Sequence, residues 1–132
     1  MDVFKTHGAF SWSELMTTDP AKAAEFYGGL FGWKLDTMPL PGGGDGEVYR
    51  VAKVGDTAVG GLMTTPKEAP MPPHWACYVT VDDVEATVAR AQELGGTVLM
   101  PVTEIPTVGR MATLQDPQGA VVNVITYSMP VS

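Results

Sequence analysis

Residues alternate singly from Ala9 to Met16, with Phe10, Trp12, Glu14 and Met16 on one face of a predicted strand and Ala9, Ser11, Ser13 and Leu15 on the other. The period then changes. Ala23, Ala24, Tyr27, Leu30 and Phe31 form one apolar stripe at helical spacing behind Asp19-Pro20. The Asp19 carboxylate can accept from the free amides of a first turn, and Pro20 suits the first helical position because its missing N–H had no partner there. Gly28, Gly29 and Gly32 let the helix end turn sharply into Trp33. Strands are predicted at 33–38, 48–54 and 57–63, with Gly55-Asp56 as a hairpin turn and the glycine-rich run 41–46 as a mobile turn.

The same pattern then runs again. His74, Ala76, Tyr78 and Thr80 alternate against Trp75, Cys77, Val79 and Val81, and Asp82 with Glu85 reads as a capping box. Val84, Val88, Ala91 and Leu94 give the buried stripe of a second helix, which Gly95-Gly96 ends. Strands at 97–102, 110–115 and 120–127 follow, with Asp116-Pro117-Gln118-Gly119 as a tight turn. Laying Asp19 on Asp83 brings Gly32 onto Gly96, a constant offset of 64 residues. The chain therefore reads as strand, helix and three strands, done twice. The first module spans 9–65, a proline-rich linker 66–73, and the second module 74–128, all within one domain covering 1–132.

Composition narrows the partners. With 45% hydrophobic and 17% charged residues, 132 residues suffice for a globular core. Eight basic against 15 acidic residues leave a net charge of −7, which repels nucleic acid and anionic membrane surfaces. A lone Cys77 cannot close an intrachain disulfide, and no apolar run suggests a signal peptide or a membrane span. A cytoplasmic, reduced setting is expected.

Five segments in this order resemble the vicinal oxygen chelate superfamily of glyoxalases, extradiol dioxygenases, fosfomycin-resistance enzymes and bleomycin-resistance proteins. They are residues 17–27 (TTDPAKAAEFY), 30–33 (LFGW), 81–87 (VDDVEAT), 93–98 (ELGGTV) and 116–119 (DPQG). Residues 73–75 (PHW) and 108–119 are similar to the glyoxalase-like branch of uncharacterised lyases or hydroxylases. The resemblance implies an α+β fold of two βαβββ modules forming a cup-shaped site from a pair of half-barrels. It also implies a homodimer, with exposed strand edges that would benefit from pairing.

In metal-dependent members of that superfamily, four ligands from the first and last strands of the modules hold a divalent ion. The corresponding positions here are Trp12, roughly Gly61, Ala76 and Asn123, none of them a good ligand. No cofactor is therefore expected, and a divalent metal is disfavoured. A substitute set built from Glu14, His74 and an acid such as Glu47 or Glu104 stays open.

Without a metal, polar residues facing the cup would carry any chemistry. Glu14, His74 and Arg110 are the candidate catalytic residues, with Trp12, Tyr78 and Asn123 binding the ligand. A carboxylate against an indole should have its pKa raised toward that of a useful acid or base, and Arg110 could pair with Glu14 or hold an anion. Tyr78 and Asn123 would orient ligand oxygens, with Trp12 as a flat wall. The plainer alternatives are a structural Glu14–Arg110 ion pair and a His74 that only hydrogen-bonds at a strand start. Trp33 and Trp75 read as core or interface residues. Two functions follow: a small-molecule binding protein like the bleomycin-resistance members, or a lyase, isomerase or dioxygenase-type enzyme acting on an oxygenated metabolite.

Overall fold

The computed structural model describes residues 1–40, 47–66 and 71–128, so the glycine-rich run 41–46 and the middle of the proline-rich linker lie outside the described residues. The chain is α+β. Its elements run β1 (Phe10–Thr17), α1 (Pro20–Phe31), β2 (Lys34–Pro39), β3 (Val48–Val54) and β4 (Thr57–Thr64), then β5 (His74–Thr80), α2 (Val84–Glu93), β6 (Thr97–Ile105), β7 (Gly109–Gln115) and β8 (Val121–Tyr127). This is βαβββ twice, as the two-period pattern predicts.

Two compact units emerge, Trp12–Ala76 and Met1–Ser11 together with Cys77 onward, so the chain changes unit inside β1 and inside β5. The leading segment joins the second unit through hydrogen bonds. Gly8 N–H donates to Thr80 O and Thr80 N–H to Ala9 O, each 2.8 Å, while the Thr80 hydroxyl donates to Val3 O at 2.7 Å.

In the first half the strand order is β2-β3-β4-β1, with β1 and β4 parallel and the other pairs antiparallel. Asp19 caps α1 by accepting from Lys22 N–H at 3.1 Å, and Gly32 ends it in the left-handed region at φ 74°, where a side chain would be strained. The core holds Leu15, Ala52 and Leu62, packed by Ala23, Ala24, Tyr27, Trp33 and Leu35. Leu30 and Phe31 depart from the predicted stripe, each 58% exposed. The stripe stops at Tyr27 because the last turn carries Phe31 into an aromatic group outside the core. There Tyr27 stacks on Phe31 and Trp33, and the Trp75 indole N–H donates to the Tyr27 hydroxyl at 3.2 Å.

In the second half the order is β6-β7-β8-β5, with β5 and β8 parallel. Val81, Val84, Ala112, Leu114 and Val124 form its core under Val88 and Ala91 of α2. Two expectations are corrected here. Asp83 rather than Asp82 caps α2, accepting from Ala86 N–H at 3.2 Å, because the helix starts at Val84; Asp82 lies one residue further out, with its N–H donating to His7 Nδ1. Leu94 lies at the C-cap, where the helical period no longer turns it inward, and is exposed.

Candidate functional site

In the first half, β1 turns Leu15 toward α1, so strand alternation puts Trp12 and Glu14 on the opposite face. β4 pairs with β1 so that Gly61 lies opposite Glu14. Into that gap comes Tyr49 of β3. Its hydroxyl donates to Glu14 Oε2 at 2.7 Å and accepts from the Trp12 indole N–H at 2.9 Å. A Cβ at position 61 would overlap the Tyr49 hydroxyl, so the phenol occupies the room that a side chain there would need. Glu14 is only 7% exposed, and Trp12 and Tyr49 are half-buried. A buried carboxylate costs heavily unless hydrogen-bonded, and Tyr49 supplies such a bond.

Tyr49 is the residue that the sequence reading missed. A glycine inside a strand marks a close approach by another group, and Gly61 was that signal. On the same face, Asp36 and Lys53 pair at 2.7 Å. The hydrogen bond and charge from Lys53 hold the Asp36 carboxyl below its ordinary range, and Asp36 raises the Lys53 ammonium in return.

The second half builds a different centre at corresponding positions. Tyr78 of β5 lies opposite Asn123 of β8, as Glu14 lies opposite Gly61. Both are buried, at 5% and 4% exposure. The Thr113 hydroxyl donates to Asn123 Oδ1 at 2.6 Å, orienting the amide so that its N–H groups point elsewhere. The Tyr78 hydroxyl contacts Met111 Sδ at 3.9 Å, a weak bond.

Arg110 is not on that face. Its β7 neighbour Ala112 packs in the core under α2, and alternation puts Arg110 on the same side. It bonds Glu85 in the first turn of α2 at 2.7 Å, with both side chains about half exposed. The anticipated pairing with Glu14 is thus replaced by a surface ion pair, because Met111 and Thr113 take the face that Arg110 was assigned. His74 is half-buried at the start of β5, where Nδ1 donates to Pro72 O at 2.8 Å. That is the strand-end role named as its plainer alternative.

A divalent ion at the positions implied by the resemblance does not fit these side chains. Trp12 offers an N–H donor that Tyr49 already receives, the space at Gly61 holds the phenol, Ala76 has only a methyl, and Asn123 Oδ1 accepts from Thr113. The substitute set is not assembled either: no three His, Cys, Asp or Glu side chains converge among the described residues.

Residues 9–124 match the model of the Glyoxalase/Bleomycin resistance protein/Dioxygenase superfamily, and the chain belongs to that superfamily. Among its relatives, CFP32 of Mycobacterium tuberculosis is 44% identical over 87% of this chain and 44% of its own length. The anthracycline biosynthesis protein DnrV of Streptomyces peucetius is 33% identical over 86% of this chain and 45% of its own. The chain thus spans less than half the length of these relatives. Among solved structures, the hypothetical protein BH1468 of Bacillus halodurans matches with a TM-score of 0.70 and 15% identity, covering 96% of this chain and 99% of that one. At that identity the likeness speaks for the fold alone.

Proposed function

We propose that the protein binds a small oxygenated organic molecule against the Trp12, Glu14 and Tyr49 face of its first half, without a divalent metal. The observation that carries this reading is the hydrogen-bonded chain from Trp12 through Tyr49 to Glu14 over Gly61. It puts an aromatic wall beside a buried carboxylate, a combination suited to a flat ligand bearing hydroxyl or carbonyl groups. The relationship to DnrV, named for anthracycline biosynthesis, supports fused aromatic rings carrying oxygen as the ligand class. On the second half, the amide N–H groups of Asn123 suit a ligand carbonyl, with Tyr78 beside it.

A second reading, favoured by the same Glu14–Tyr49 bond, is a lyase or isomerase in which Glu14 takes up a substrate proton and Tyr49 steadies the carboxylate. The exposed Phe26, Leu30 and Phe31 on α1 support a homodimer. The lone Cys77 agrees with a reduced cytoplasm, and no helix among the described residues is long and apolar enough to cross a membrane.

The test has two parts. Elemental analysis of tag-free protein, before and after incubation with nickel, zinc, manganese and ferrous iron, should find no stoichiometric metal. One retained ion per chain would overturn the metal-free reading. A thermal-shift screen of hydroxylated anthraquinones should then raise the melting temperature of the wild type, with little effect on Trp12→Ala. An equal shift in both proteins would remove Trp12 from the site.

A further inference from the structure

We infer that Tyr49 is a positioning residue acting through Glu14, and that position 61 is glycine so that the phenol can reach the carboxylate. The inference deepens the proposed function and rests on it only in taking Glu14 to face the ligand.

Three observations converge. First, the Tyr49 oxygen makes two hydrogen bonds to β1: its proton goes to Glu14 Oε2 at 2.7 Å, and it accepts from Trp12 Nε1 at 2.9 Å. Trp12 and Glu14 are same-face neighbours on one strand, so these two bonds fix the phenol along and across β1. Second, the ring sits in the space that a side chain at position 61 would fill. A methyl at position 61 would overlap the hydroxyl and the ring carbon bearing it, so even alanine forces the phenol away. Third, Glu14 is buried to 7% exposure, where the orientation of a carboxylate is set by its donors rather than by water.

The chemical consequence is specific. A donor to the ionised form stabilises that form, so the Tyr49 bond favours the carboxylate over the neutral acid and commits one of its two oxygens. Other ionisable groups also border this face of the first half. Lys34 and the Asp36–Lys53 pair lie on it by register, with Glu47 two residues before Tyr49 and His74 at the start of β5. All are retained in the variants below, so differences between variants isolate Tyr49.

The experiment uses ligand-free protein. Glu14 is titrated through its side-chain carboxyl ¹³C resonance in the wild type, Tyr49→Phe, Gly61→Ala and Trp12→Phe, with the Trp12 indole N–H resonance followed alongside wherever Trp12 is present. Tyr49→Phe should raise the Glu14 midpoint by about half a pH unit or more and move the indole resonance. Gly61→Ala should do both although it keeps the phenol, and the double variant should add little to Tyr49→Phe. Trp12→Phe leaves the ring's fit over Gly61 intact and should shift Glu14 less, in the same direction. An unchanged Glu14 midpoint in folded Tyr49→Phe or folded Gly61→Ala overturns the inference. If both fail to fold, an unchanged midpoint in Trp12→Phe overturns it. Because no ligand or metal enters, this titration can fail while the proposed binding function stands, and the reverse.

Discussion

The two halves share a backbone plan and part company at its centre. In the first, Glu14 on the opening strand faces a glycine on the closing strand, and Tyr49 from the adjacent hairpin fills the gap with a phenol. In the second, the opening strand supplies the phenol, Tyr78, the closing strand supplies Asn123, and Met111 is the hairpin residue in contact. One centre presents an acid held by a donor; the other presents a neutral amide held by a hydroxyl. The repeat fixes which positions meet, and the side chains at those positions decide the chemistry.

The cores differ as well, and that contrast gives the largest expected effects. Leu62→Ala, at a fully buried position in the core with Leu15 and Ala52, should cost about 2–5 kcal/mol. Val124→Ala, the register counterpart in the valine-rich second core, removes one carbon fewer and should cost about 1–3 kcal/mol. Urea unfolding of both variants measures the difference, and a loss at Val124 as large as that at Leu62 would mean that the second core relaxes less around a cavity than the first.

Thr113→Val comes next. It removes the donor that orients Asn123 and should cost about 0.5–1.5 kcal/mol in the same assay. It should also weaken binding of any ligand held by Asn123, while leaving the Glu14 titration unchanged. A Thr113→Val protein that binds as the wild type does would remove Asn123 orientation from the second centre.

Arg110→Ala should change stability by no more than about 0.5 kcal/mol, since the pair with Glu85 is solvent-exposed. It should leave both centres untouched. A loss of ligand binding in this variant would place Arg110 back in the site.

The smallest effect belongs to Asp36 and Lys53 and shows as a pH profile. The Asp36 pKa is lowered on folding by Lys53, so its contribution is present above the ordinary value of 3.8 and is lost as the pH falls through the lowered folded value. The Lys53 pKa is raised, so its contribution is present below 10.5 and is lost as the pH rises through the raised folded value. The melting-temperature difference between wild type and Asp36→Asn should therefore stay constant across neutral pH and shrink at both extremes. A difference that varies through neutrality would point to another titrating group.

Much of the fold was legible because it rests on local chemistry. Asp19-Pro20 before an apolar stripe caps α1, and single alternation marks β1 and β5. The limits of that legibility are equally local. Asp82 and Asp83 both satisfy a capping rule, and only the hydrogen bond that the Asp83 carboxylate accepts from Ala86 N–H separates them. At the site, alternation put Trp12 and Glu14 on one face correctly. It misplaced Arg110 because the polarity of a single residue does not show which face of β7 meets α2.

By itself, then, the amino-acid order determined the repeat, the strand and helix periods, and the absence of metal-binding side chains at Trp12, Gly61 and Ala76. Tertiary structure alone decided which residue fills the space at Gly61 and which partner Arg110 takes. The reason is physical: period and capping are set by neighbours along the chain, whereas the Trp12–Tyr49 and Tyr49–Glu14 bonds join residues 37 and 35 positions apart, through strand pairing that no local pattern specifies.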